Sequence, residues 1–177
     1  MVVDSPSPVL RRSPAYRVLA RAGLLAGCLD LTAAFVEADL AGRSPISLLQ
    51  GIAGGLLGIS SFRGGAATAA LGAFFHFLIA TRAAAVFSFA SRKLTLLIKH
   101  AIVSGLLYGV VVYIFMYYIV LPISAYHTKV ALPRMAELTR DVAVHMFLVG
   151  LPISLVVRKY SDARCTEGRA TSAEMEQ

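Results

Sequence analysis

The sequence predicts an all-α, polytopic membrane protein with four transmembrane helices plus one short interfacial or re-entrant helix. Three observations predict it. Of 177 residues, 57% are hydrophobic and only 15% charged, with a mean hydropathy of +0.70, whereas soluble domains are about a quarter charged. Four stretches, Ala22 to Ala38, Gly64 to Ser91, Ala101 to Pro122 and Val142 to Val157, hold only Asp30, Glu37 and Arg82 of the 27 charged residues, 17 basic and 10 acidic. The basic residues outside those stretches are unevenly placed. A water-soluble fold and a mainly disordered chain are both excluded by this composition.

Each apolar stretch approaches the ~20 residues needed to cross about 30 Å of hydrocarbon. Backbone polar groups in lipid must be satisfied internally, and no segment alternates as a barrel strand would, so the spans are helices. They are expected over 18–40, 64–90, 100–122 and 138–157, forming one domain over 15–160. The segments 1–14 and 161–177, polar and without periodicity, are expected to be disordered tails.

A fifth apolar run, Ile46 to Phe62, is marginal as a span at roughly 25 Å. It carries Gly51, Gly54, Gly55 and Gly58 with Ser47, Gln50, Ser60 and Ser61, which lower its hydrophobicity. Orientation decides against it. Four spans with the N-terminus inside put eleven basic residues (Arg11, Arg12, Arg17, Arg21, Arg92, Lys93, Lys99, Arg158, Lys159, Arg164, Arg169) on the cytoplasmic side and five (Arg43, Arg63, Lys129, Arg134, Arg140) outside. Five spans divide the same residues eight and eight, erasing the positive-inside bias. The segment 45–62 is therefore expected as a short helix at the outer face, with Ser44 as N-cap and Pro45 in its first turn. Its stripe of Ser47, Gln50, Gly54, Gly58 and Ser61 suits close packing. Both termini are cytoplasmic in this arrangement.

The net charge of +7 is explained by orientation and anionic headgroups, because the basic residues flank spans instead of forming one patch; the expected partner is the bilayer and not nucleic acid. Leu24-Leu25-Ala26-Gly27-Cys28 looks like a lipobox, but Arg21 leaves only six apolar residues before Cys28 and apolar sequence continues beyond it, so an uncleaved span is expected. Cys165, in the tail, is not placed to pair with Cys28.

Helices in lipid associate through small residues and hydrogen bonds. In the first span Gly23, Gly27, Asp30, Ala34 and Glu37 share one stripe; in the second, Gly65, Ala69, Gly72, His76, Ala80 and Ala83 do so. Asp30 and His76 both lie roughly 15 Å from the outer ends of their helices. A lone charge at that depth costs several kcal/mol, so the two are expected as a hydrogen-bonded pair. Two readings remain: a lock between helices, or a proton or cation relay with Glu37 leading outward. Gly105 and Gly109 mark a packing face on the third span with Tyr108, Val112 and Met116, while Tyr113, Tyr117, Tyr118 and Tyr126 are expected in an interfacial aromatic belt. Pro122 is expected to end that span. On the fourth span Asp141, His145, Pro152 and Val156 share a face, and Gly150 with Pro152 predicts a kink. Arg82 is expected to snorkel toward the inner headgroups.

Two histidines on helices of one bundle, His76 and His145, leave a b-type haem or metal site as a further alternative, although their depths differ by about 6 Å. No paired Cys or His spacing suggests zinc, and no Walker loop, dinucleotide fingerprint or nucleophile elbow occurs, so neither cofactor nor enzymatic activity is expected.

The strings Gly64-Gly65-Ala66-Ala67-Thr68-Ala69-Ala70-Leu71-Gly72, His76-Phe77-Leu78-Ile79-Ala80, Gly105-Leu106-Leu107-Tyr108-Gly109, Val120-Leu121-Pro122 and His145-Met146-Phe147-Leu148-Val149-Gly150-Leu151-Pro152 resemble a set of small bacterial inner-membrane proteins. More loosely, they are similar to the YagU-type inner-membrane proteins. The resemblance covers about Arg17 to Tyr160 and implies a bacterial, multi-pass inner-membrane location without implying an activity. Two function classes follow. One is a non-enzymatic helix-packing or accessory protein, homo-oligomeric or bound to another membrane protein; the other is a small transporter or proton-coupled channel using Asp30, Glu37, His76 and His145.

Overall fold

The computed structural model describes residues 15–125 and 133–161. The expectations for 1–14, Tyr126, Lys129, Cys165 and the rest of 162–177 lie outside the described residues. Those described are helical or in short connections, with no strand among them.

Helix α1 (Ala15–Leu40) is 26 residues long. It stops where Gly42 takes φ +68°, a left-handed conformation that costs glycine nothing. The Arg43 N–H then donates back to the Ala38 carbonyl at 2.8 Å, satisfying one of the helix's last acceptors. Helix α2 (Pro45–Leu57) follows, its first turn capped by the Ser44 hydroxyl, which accepts from the Ser47 N–H at 3.1 Å with Pro45 next to it. A 3₁₀ turn, Gly58–Arg63, prolongs it. Helix α3 (Gly65–Lys93) has 29 residues. The one-turn α4 (Leu96–Lys99) leads to α5 (Ala101–Ile123), and α6 (Met135–Ser161) completes the fold. Five helical segments are long and apolar enough to cross a membrane: α1, α2 with its 3₁₀ extension, α3, α5 and α6.

Contacts fix the helix directions. Along α1 and α3, Gly23 lies against Thr81 and Gly27 against Phe77, so numbering rises on one helix as it falls on the other. The same holds for α5 and α6, where Gly105 meets Leu151 and Ser154 while Gly109 meets His145 and Met146. Arg21 bonds the Tyr160 hydroxyl at one end of α1 and α6, and Glu37 pairs with Arg140 at the other. Four long helices thus run up, down, up and down. The chain leaves α1 and enters α3 at the same end, termed the upper end, so α2 begins and finishes there. It packs on the first turns of α3, with the Leu49 and Ala53 backbone against Gly72, and the Gly55 carbonyl accepts from the Ala125 N–H just beyond α5 at 2.8 Å.

Both α5 and α6 contain a widened π turn, Met116–Val120 and His145–Gly150, each ending two residues before a proline, Pro122 and Pro152. Proline lacks the N–H that an α-turn requires and crowds the carbonyl four residues earlier; a wider turn relieves both. A π turn stands where the kink at Gly150 and Pro152 is expected, and α5 ends at Ile123, one residue past Pro122.

The lower half of the bundle is closed by a core of Val18, Ala22, Ala26, Ala84, Phe87, Val149, Ile153 and Val157. Leu24, Leu25, Phe74, Val86, Phe89, Leu107, Phe115 and Phe147 are exposed on the outside. An apolar exterior over small, buried residues inverts the soluble pattern and fits a lipid environment.

Candidate functional site

The upper half of the bundle encloses an open pocket of about 290 Å³ between α1, α5 and α6. Three carboxylic acids reach it: Asp30 and Glu37, two turns apart on α1, and Asp141 on α6. Tyr113 and Tyr117 on α5 and His145 on α6 complete its polar lining, and Ala34, Met116, Leu121 and Val144 make its apolar walls.

Asp30 is the deepest of the acids. Its Oδ2 lies 4.0 Å from His76 Nε2, too far for a hydrogen bond. That nitrogen instead lies 2.9 Å from the Gly27 carbonyl oxygen. A carbonyl only accepts, so Nε2 carries the proton and donates it there. The expected pair is thus brought together without the expected bond, because the Gly27 carbonyl takes the ring's N–H. Among the described residues no hydrogen bond reaches the Asp30 carboxyl, and it faces the pocket.

The mouth is organised by Arg140, whose Nε lies 3.0 Å from Glu37 Oε1 and whose Nη2 lies 3.0 Å from Asp141 Oδ1. Arg140 is 52% exposed, so these bonds are worth little in stability. They do hold two of the three acids at the rim. His145 Nδ1 donates to the Asp141 carbonyl at 2.8 Å, which fixes the ring's orientation on α6.

Tyr113 is 4% exposed, its ring edge-on to His145 at 5.5 Å and stacked on Tyr117 at 5.7 Å. Its hydroxyl is buried with no hydrogen-bond partner among the described residues, a condition costing about 1–3 kcal/mol. The expectation of an interfacial belt therefore fails for Tyr113, which is a pocket wall; Tyr118 is exposed on the outside of the bundle. Neither Tyr113 nor Arg140 stood out in the sequence as a pocket residue: an α5 tyrosine reads as belt and an α6 arginine as a flank until α1 is packed against both.

Other candidates separate from this pocket. Gly23, Gly27, Gly72, Gly105 and Gly109 pack as expected, since a Cβ at each would overlap a neighbouring helix. Gly65 does not: open space surrounds it, its φ is +56°, and its carbonyl accepts from Gln50 Nε2 at 3.1 Å, so the position needs glycine for conformation and not for packing. Arg82 is exposed and makes no ion pair among the described residues. His76 and His145 bond different carbonyls on different helices, and no three His, Cys, Asp or Glu side chains among the described residues are grouped to hold a metal ion. A larger cavity of about 540 Å³ between α3 and α5 at the lower end is lined mainly by apolar side chains such as Phe87, Leu97 and Val103.

Compared with protein-family models, curated proteins and solved structures, the chain matches none.

Proposed function

We propose that this chain is a non-enzymatic, four-span bacterial inner-membrane protein that handles a small solute or protons through the pocket between α1, α5 and α6. Its spans are α1, α3, α5 and α6, with α2 on the outer face and both termini cytoplasmic. The antiparallel packing of α1 on α3 supports this count, as does the placing of eleven basic residues on one side. The bacterial inner membrane is inferred from the resemblance to small bacterial inner-membrane proteins and the looser similarity to the YagU type.

One observation carries the function. Three acids, a histidine and two tyrosines line one open pocket inside the bundle, where ionisable groups are costly and mark pathways. His76 serves packing through the Gly27 carbonyl, whereas the Asp30 carboxyl makes no hydrogen bond across the helices among the described residues and lines the pocket. The test is proton flux into proteoliposomes containing the full chain and a pH-sensitive dye. A flux above that of empty vesicles, lost in Asp30→Asn, supports the reading, and equal flux in both overturns it. A second reading, a helix-packing accessory subunit, requires a membrane protein that co-purifies stoichiometrically in mild detergent; the backbone-close contacts at Gly105, Gly109 and Gly150 lie within the chain, between α5 and α6.

A further inference from the structure

We infer that the cavity between α3 and α5 at the lower end binds one anionic phospholipid, its phosphate held by the basic connection from Arg92 to His100 and an acyl chain lying along α5. The inference is independent of the pocket between α1, α5 and α6 and of the solute-handling reading.

The distribution of small and large residues leaves this groove open. Helix α5 turns Gly105 and Gly109 toward α6, where the backbones meet closely. Its opposite side carries Val103, Leu107 and Val111 at one-turn spacing, all three exposed. Toward α3 the contact is made by two large rings: Phe87 meets Tyr108 edge-on at 5.1 Å, and the Tyr108 hydroxyl donates to the Ala83 carbonyl at 2.7 Å. Close approach of helices in lipid needs small residues on both sides, so α3 and α5 stand apart here. The result is a cavity of about 540 Å³ walled by Phe87, Leu96, Leu97 and the three α5 aliphatics. From His100 to Val111 it follows roughly 16 Å of helix, about half of the ~30 Å of hydrocarbon. That is the depth of one leaflet, and so the reach of one acyl chain.

Charge selects the kind of lipid. The lower rim carries Arg92, Lys93, Lys99 and His100, all exposed, and the segment 92–100 contains no acid. None of Arg92, Lys93 and Lys99 forms an ion pair among the described residues. The acids among the described residues are Asp30, Glu37 and Asp39 on α1 and Glu137 and Asp141 in the upper turns of α6, so none neutralises this end. Basic groups left unpaired at the hydrocarbon edge attract anionic headgroups. Inside the groove His100, Ser104 and Tyr108 follow one another at one-turn spacing. The lining therefore passes from cations through an imidazole and a hydroxyl to hydrocarbon, the order of phosphate, glycerol ester and acyl chain in a phospholipid.

Other occupants fit less well. A second copy would bring its own basic lower end against this one, and like charges repel. The segment 162–177 has Met175 as its only large apolar side chain, too little to fill an apolar groove.

The chain contains no tryptophan, so a single introduced one reports its own surroundings. Leu107→Trp places it in the groove and Leu155→Trp on the exposed outside of α6, each roughly 9 Å from the lower end of its helix. The full chain is reconstituted in vesicles of phosphatidylcholine with a minor share of phosphatidylglycerol, with brominated acyl chains on one lipid or the other. At Leu107→Trp, brominated phosphatidylglycerol should quench at least about fivefold more strongly per mole than brominated phosphatidylcholine. At Leu155→Trp the two should quench alike. Adding Arg92→Gln and Lys99→Gln to Leu107→Trp should bring the ratio toward one. Equal quenching by both lipids in the groove, the same preference at Leu155→Trp, or a preference untouched by the loss of the two cations overturns the inference. Absence of quenching by either lipid at Leu107→Trp overturns it as well, since protein would then cover the groove. Native mass spectrometry of the unsubstituted chain avoids placing a bulky ring in the site: one phosphatidylglycerol should be retained under activation that strips phosphatidylcholine, and equal loss of both overturns the inference.

Discussion

Asp30 and His76 face each other across α1 and α3 at 4.0 Å, yet the imidazole donates its proton to the Gly27 carbonyl at 2.9 Å. The shorter contact decides which one contributes to stability, since the longer is outside hydrogen-bonding range. His76 is therefore a helix-to-helix fastener, and Asp30 is released from that duty. Replacing His76 by alanine should cost about 1–2 kcal/mol through the lost bond and its packing, whereas Asp30→Asn should change stability by less than about 0.5 kcal/mol. Thermal denaturation of the two single variants and the double variant measures this. A coupling larger than about 1 kcal/mol would restore a direct pair.

Glycines that read alike in the sequence should respond in opposite ways. A Cβ at Gly109 meets the backbone of His145 and Met146, which has nowhere to move, while one at Gly51 meets nothing. Gly109→Ala should destabilise the bundle by about 1–3 kcal/mol or more through overpacking. Gly51→Ala should be neutral or stabilise by about 0.5–1 kcal/mol, because alanine loses less freedom in a helix. Melting temperatures in one detergent check both.

Topology gives a third expectation. Because α1 and α3 are antiparallel, single cysteines placed at Ser60 and at Lys99 in a background lacking Cys28 and Cys165 should label from opposite sides. Ser60 should react with an impermeant maleimide in intact cells and Lys99 only after permeabilisation. Labelling of both from outside would contradict the four-span arrangement.

Hydropathy made the helices legible, because apolar length and flanking charge are local properties, and the cap at Ser44 with Pro45 was legible for the same reason. Stripe arithmetic brought Asp30 near His76 and identified most of the packing glycines. It missed the bond to the Gly27 carbonyl, since a pattern of side chains carries no information about a backbone acceptor. The pocket was harder still. Glu37 and Arg140 are more than a hundred residues apart, and only the packing of α1 on α6 joins them. Tyr113 was misread because a tyrosine near a helix end looks the same whether it faces headgroups or an interior.

The two prolines connect backbone geometry to the pocket. A π turn holds one extra residue, so everything on its N-terminal side is rotated about 100° relative to a continuous α-helix. In α6 the turn His145–Gly150 stands between Pro152 and the pocket residue Asp141, with the pocket residue His145 as its first member. Its extra residue sets the rotation of Asp141 relative to Val149, Ile153 and Val157 in the core. Pro152→Ala restores the missing N–H and removes the crowding, so the turn should relax toward α-helix. The helix below is fixed by the core, and the rotation must then fall on Asp141 and His145, which would leave the pocket. Stability should hold or rise while proton flux falls at least tenfold, as judged by dye-loaded vesicles. Unchanged flux at unchanged stability would show that the wide turn does not aim these residues.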